Sequence, residues 1–146
     1  MPDVLPRPAR LLGPAGLIPF AGLALLAALW PEWRPILLVA LRAYGATIAA
    51  FLGAVHWGLA LRPAPGEEGA AWGRLGLGVV PALLAWVALL VSLRAGLVIL
   101  AAVLLAVAAA ESLAARHGLV PAAYLRLRWL LSLGAGACLL AGAALA

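Results

Sequence analysis

Residues 44–58, from Tyr44 to Gly58, read YGATIAAFLGAVHWG. They lie inside a long apolar run, residues 36–61. As a helix at ~1.5 Å per residue, that run is longer than the ~30 Å hydrocarbon core of a bilayer. It is therefore expected to cross a membrane with some tilt or overhang. The stretch also holds His56, one of two histidines in the chain. The fold follows from the first property, and most of the functional question from the second.

The rest of the chain agrees with a membrane setting. Of 146 residues, 67% are apolar and 10% charged, and the mean hydropathy is +1.15. A soluble domain runs nearer half apolar and a quarter charged. The net charge is +5, all ten basic residues are Arg, and Lys, Asn and Gln are absent. The arginines are scattered at the ends of apolar runs, with no basic stripe interleaved with aromatics, so no nucleic-acid partner is expected. Their pattern is that of topology-setting charge. The one cysteine, Cys138, excludes an internal disulfide, and no metal-ligand spacing occurs.

Working outward, the spacing predicts an all-α integral membrane bundle occupying residues 1–146 as a single domain. Five spans are expected at about residues 11–30, 36–61, 75–93, 97–115 and 129–146. Residues 1–10, Pro-rich and basic, read as a short tail. The first run is too long for the apolar region of a signal peptide and is not followed by a small-residue cleavage site. Pro14 and Pro19 fall in its first turns, where a missing N–H costs least. Trp30 and Trp33 bracket a tight turn at residues 31–35, as interfacial aromatics do.

Residues 62–73 form a Pro-, Gly- and Glu-containing loop. A short break at Arg94-Ala95-Gly96 separates the third and fourth spans. If that break is a kink, four spans remain. Arg116-His117-Gly118 ends the fourth span, and residues 119–128 read as an interfacial lead into the fifth. Gly16-Leu-Ile-Pro19 and Gly78-Val-Val-Pro81 form a weak echo at the openings of the first and third spans. With five spans and the N-terminus inside, seven arginines lie inside (Arg7, Arg10, Arg62, Arg74, Arg116, Arg126, Arg128). Three lie outside (Arg34, Arg42, Arg94), which favours N-in and C-out.

Few polar groups reach membrane depth, and ionisable ones there usually face a bundle interior or cavity. On the second span, 100° per residue puts Arg42, Ala46, Ala49, Gly53 and His56 on one face. Gly45, Ala49 and Gly53 form a small-residue ladder suited to close helix packing. Arg42, near the end of its helix, is expected to snorkel to the headgroups. His56 lies six residues before Arg62, and Glu111 five residues before Arg116, on spans that run in the same direction. The two share a depth and would pair if their helices touch. That pair reads either as a proton-titrating or ligand-binding site or as a structural hydrogen bond. Tyr44 and Trp57 complete the candidate polar and interfacial groups. No catalytic residue and no metal site is assigned, since phosphate loops, nucleophile elbows and paired-carboxylate patterns are all missing. No cofactor is predicted. A haem on His56 would need a second chain for bis-histidine ligation, and a quinone is the other candidate.

Several of these pieces resemble a bacterial family of small membrane proteins of unknown function, shared with a mitochondrial transmembrane protein. They are Gly16-Leu-Ile-Pro-Phe20, Tyr44-Gly-Ala-x-Ile48, Phe51-Leu-Gly53, His56-Trp-Gly58, Pro81-x-Leu-Leu-x-Trp86 and Pro121-x-x-Tyr124-Leu-Arg-Leu-Arg128. The similarity covers nearly the whole chain. Ala122-Ala123 stand where an aromatic is expected before Tyr124. The resemblance implies a multi-pass protein of the bacterial inner membrane and brings no catalytic residue with it.

The leading expectation is a non-enzymatic accessory, assembly or membrane-organising protein acting through helix contacts. Its partners would be the bilayer and a membrane complex or a second copy of the chain. One alternative is a small transporter or proton-coupled carrier using His56 and Glu111. Another is a protein binding lipid, quinone or haem, with His56 as ligand.

Overall fold

The computed structural model describes residues 5–146. Six α-helices occur in order: α1 (Arg7–Ala15), α2 (Leu17–Leu29), α3 (Arg34–Leu61), α4 (Ala71–Leu90), α5 (Leu93–Arg116) and α6 (Ala122–Leu145). A single 3₁₀ turn, Glu68–Ala70, precedes α4, and no strand is present among the described residues. Helices alone satisfy every backbone group within one segment, which a hydrocarbon solvent demands. Five stretches of the described chain are long and apolar enough to cross a membrane: Arg7–Leu29, Arg34–Leu61, Ala71–Leu90, Leu93–Arg116 and Ala122–Leu145.

The first span is two helices rather than one. It begins at Arg7, so the expected tail is already helical there. Met1 to Val4 lie outside the described residues. Pro14 lies inside α1, and Pro19, without an N–H, cannot continue the ladder across the joint at Gly16. Pro35 sits in the first turn of α3, where no partner for its nitrogen is needed, so α3 starts at Arg34.

The break between the third and fourth spans is a true turn, but it sits earlier than Arg94–Gly96. The chain leaves α4 at Val91, in an extended conformation, and Ser92 caps α5 by accepting from the Ala95 N–H at 3.4 Å. Serine is a preferred cap, and Arg94 and Gly96 follow it as first-turn residues. Five spans result.

The α5 terminus is closed by a Schellman arrangement. Gly118 adopts φ +73°, and the N–H groups of Gly118 and Leu119 reach the carbonyls of Ala115 and Ala114 at 3.0 and 3.2 Å. Pro121 then precedes α6, which begins at Ala122. Residues 122–128 are therefore helix, not an interfacial lead. Likewise α4 begins at Ala71, which leaves Pro81 inside the helix and Gly78 away from its opening. The echo with Gly16–Pro19 thus falls at different places in the two helices.

The core is a column of Phe20, Leu38, Leu41, Leu97, Leu100, Leu104 and Leu139, all essentially buried. Gly45, Ala49 and Gly53 line the buried face of α3. Gly45 is covered by Leu100 and Leu139, while Gly53 faces the backbone of Gly78 on α4. A methyl at Gly53 would collide with the Gly78 carbonyl, and one at Gly78 would collide with the Trp57 indole. Small residues here let two backbones meet, which is how helices associate without a hydrophobic driving force.

A buried polar cluster joins three helices

The α5 face that supplies Leu97, Leu100, Leu104 and Val107 continues one turn further to Glu111. Helical spacing thus carries a carboxylate into the packed interior, where it is 1% exposed. The α6 face that supplies Ala135, Leu139 and Gly142 begins with Tyr124, Arg128 and Ser132, at four-residue spacing. The small face of α3 ends at His56. The three faces converge on Glu111.

His56 Nε2 lies 3.0 Å from Glu111 Oε1. With Glu111 as a carboxylate, which only accepts, the ring nitrogen is the donor. Tyr124 donates to the same oxygen at 3.3 Å. Arg128 Nε donates to Glu111 Oε2 at 2.8 Å, with both side chains almost fully buried. The Glu111 and Arg128 charges offset each other. One turn away, Trp129 Nε1 donates to Ser112 Oγ at 2.9 Å, and Ser112 donates to the Ala108 carbonyl at 2.8 Å. A carboxylate removed from water is tolerated only when paired and hydrogen-bonded, and Glu111 has three donors.

Two cavities flank the cluster. One, of about 510 Å³, is walled by His56, Leu59, Gly73, Arg74, Ala114 and Val120. It lies toward the end of the bundle that carries Arg62 and Arg116. Arg74 at its wall pairs with Glu67 of the loop at 2.7 Å and also donates to the Leu59 carbonyl at 3.4 Å. That ion pair holds the Glu67 carboxyl below its ordinary value, first through the Arg74 hydrogen bond. The second cavity, of about 190 Å³, lies between α1–α2, α3 and α6, and Arg128 and Ser132 form part of its wall.

The candidate residues fall into separate places. His56 and Glu111 are together. Tyr44 is elsewhere: its hydroxyl donates to the Gly16 carbonyl at 3.0 Å and its ring meets Phe20 edge-on, 4.8 Å between centroids. It tethers the α1–α2 joint to α3. Trp57 packs over Gly78 and remains partly exposed. Arg42 reaches the exposed end of α4. Its Nη1 donates to the Val91 carbonyl at 3.0 Å, satisfying the end of α4. Glu111 is no headgroup-seeking side chain. Sequence reasoning missed Arg128 and Tyr124 as partners of Glu111 and treated Arg74 and Arg128 as topology charges. The i, i+4, i+8 spacing of Tyr124, Arg128 and Ser132, in register with Ala135 and Leu139, was the available signal. No group of three or more His, Cys, Asp and Glu side chains suited to a metal comes together among the described residues.

Known proteins bear on this arrangement. The chain is 47% identical over 85 residues to Transmembrane protein 69 of Xenopus tropicalis, covering 58% of this chain and 33% of that protein. It is 37% identical over 89 residues to Transmembrane protein 69 of Mus musculus, covering 61% and 36%. The aligned part therefore spans about a third of the length of these curated relatives. No solved structure matches. Over residues 5–144, nearly all of the chain, the match is to the family described as Protein of unknown function (DUF3429), and the chain belongs to that family.

Proposed function

We propose that this protein is a non-enzymatic accessory or organising protein of a bacterial inner membrane, acting through contacts made within the bilayer. The observation that carries this reading is the buried, three-donor environment of Glu111. Its two oxygens are engaged by His56, Tyr124 and Arg128, and the side chain is 1% exposed. A group held this way joins α3, α5 and α6, and at 1% exposed it is closed off from a reactant. The outward surface is available instead: Leu25, Leu29, Leu83, Trp86 and Leu90 of α2 and α4 are all exposed. A partner helix or a second copy would displace lipid there.

The arginines not committed to buried pairs favour the N-terminus inside. Arg7, Arg10, Arg62, Arg116 and Arg126 lie at one end of the bundle, against Arg34, Arg42 and Arg94 at the other.

The test is purification from native membranes in a mild detergent, with mass spectrometry of everything retained. A stoichiometric membrane partner supports the accessory role. A chain recovered alone, under conditions that preserve known complexes of the same membrane, overturns it.

A proton-coupled carrier is the second reading, favoured by one observation: His56 forms part of the wall of the 510 Å³ cavity. Proton flux into liposomes containing the protein, abolished by His56→Ala, would support it. Flux no greater than in empty liposomes would sink it.

A further inference from the structure

His56 is held at one ring nitrogen and open at the other. Its Nε2 donates to Glu111 at 3.0 Å, so Nδ1 of the neutral ring is a bare acceptor. Among the described residues Nδ1 has no hydrogen-bond partner. Yet it is not one of the unpaired side-chain atoms closed off from solvent, which are Arg42 Nε, Arg128 Nη2 and Ser132 Oγ. The His56 side chain keeps 6% of its surface accessible, and His56 forms part of the wall of the 510 Å³ cavity. That cavity reaches the end of the bundle carrying Arg62 and Arg116, where Gly69 and Gly73, both exposed, stand at its mouth. Its volume is many times the ~30 Å³ share of one water in the liquid, and His56 and Arg74 offer polar partners.

Beyond the cluster the path closes. Ser132, one turn past Arg128 on α6, and Leu104 and Leu100 of α5 are each at most 2% exposed. Arg128 Nη2 and Ser132 Oγ have neither a partner nor accessible surface, so the 190 Å³ space beside them does not carry water to Glu111.

We infer that His56 is a proton-binding site served from one end of the bundle only, the end that carries Arg62 and Arg116. A proton delivered by water in the cavity adds to the Nδ1 lone pair, and the Nε2–H stays on Glu111. The surrounding charges permit this. Glu111 of α5 and Arg128 of α6 offset each other at 2.8 Å, and Tyr124 of α6 donates to the same carboxylate as a neutral group. Arg74 of α4, on the cavity wall, and Glu67 of the loop offset each other at 2.7 Å. The charge in contact with the ring is the Glu111 carboxylate, and each nearby arginine has its own counter-charge.

This assignment rests on neither reading above. A site open at one end registers the acidity of that end, in an accessory protein as well as in a carrier. Carriage across the membrane needs a second opening on the far side of Glu111.

The first test places cysteines in the full chain carrying Cys138→Ala, in sealed vesicles of both orientations, with a water-borne cationic thiosulfonate as probe. Ala110→Cys lies on the cavity wall beside Glu111, whereas Leu113→Cys lies nearer the helix end but faces outward. Ala64→Cys, in the loop after α3, marks the accessible end. Ala110→Cys is expected to react from the Ala64→Cys side alone, at least about tenfold faster than Leu113→Cys, because the reaction needs a hydrated thiolate. Reaction from both sides, or no faster than Leu113→Cys, overturns the assignment.

The second test leaves the cluster intact and so does not depend on the folding of any cysteine variant. Solid-state NMR of the ¹⁵N-histidine-labelled chain in lipid bilayers, with His117→Ala to leave one signal, reads Nδ1 directly. Nδ1 is expected to be unprotonated at high pH and to gain a proton as pH falls from about 9 to about 4, a window that brackets an ordinary histidine at about 6.5. A spectrum unchanged across that window overturns the assignment. The liposome flux assay separates this inference from the carrier reading. Titration and one-sided labelling without flux remove the carrier alone, and flux with labelling from both ends removes one-sided access alone.

Discussion

His56 of α3 and Glu111 of α5, fifty-five residues apart in sequence, lie 3.0 Å apart inside the bundle. Arg128 of α6 closes the other side of the same carboxylate at 2.8 Å. One side chain thus fixes the relative positions of three transmembrane helices. The expected consequences are mainly for stability.

Removing Glu111 alone leaves the Arg128 charge buried without compensation. Glu111→Ala is expected to destabilise the bundle by about 3–5 kcal/mol. Replacing both partners, Glu111→Leu with Arg128→Leu, should recover much of that loss, because the charge that demanded pairing is gone. Denaturant titrations of the purified variants in one detergent measure both. A double variant no more stable than Glu111→Ala would contradict the pairing.

The approach of α3 to α4 depends on Gly53 lying against the Gly78 backbone. Gly53→Ala forces the helices apart and should cost about 1–3 kcal/mol. Gly22→Ala is the control, since nothing lies within 4 Å of a methyl there, and a slight gain in helix propensity is expected instead. Melting temperatures of the two variants should move in opposite directions.

Tyr44→Phe keeps the ring contact with Phe20 but loses the hydrogen bond to the Gly16 carbonyl. A loss of about 0.5–1.5 kcal/mol is expected. Amide exchange should quicken at the α1–α2 joint more than in α5, which native-state hydrogen exchange resolves.

The loop ion pair gives a pH dependence of definite sign. Glu67 has a carboxyl pKa lowered from 4.5 by Arg74. A lowered folded-state value means the contribution is complete above the unfolded value and disappears as pH falls through the folded one. Loop protection at residues 62–70 should therefore hold at neutral pH and fail in acid. Glu67→Gln should remove that dependence, and limited proteolysis across pH reads it directly.

The sequence alone determined that this is an all-helical membrane protein, with four or five spans according to whether residues 94–96 kink or turn. Hydrocarbon thickness and backbone hydrogen bonding leave an apolar chain little other choice. Both properties are carried by each run independently, so no knowledge of neighbours is needed. Depth was legible too: His56 and Glu111, each five or six residues from a terminal arginine, had to lie at one level.

Helix ends were less legible. Arg94-Ala95-Gly96 has the composition of a turn, yet Ser92 places the boundary because its side chain caps an amide, a local geometry that composition does not express. Only the tertiary structure decided which faces meet. An arginine near a helix end reads equally as snorkelling, topology-setting or ion-paired until its neighbours are placed. Arg42 ends on a carbonyl of the next hairpin, Arg128 on a carboxylate, and Arg116 remains exposed. The difference lies in rotation about each helix axis, which is set by packing against other helices and not by the residues of any one of them.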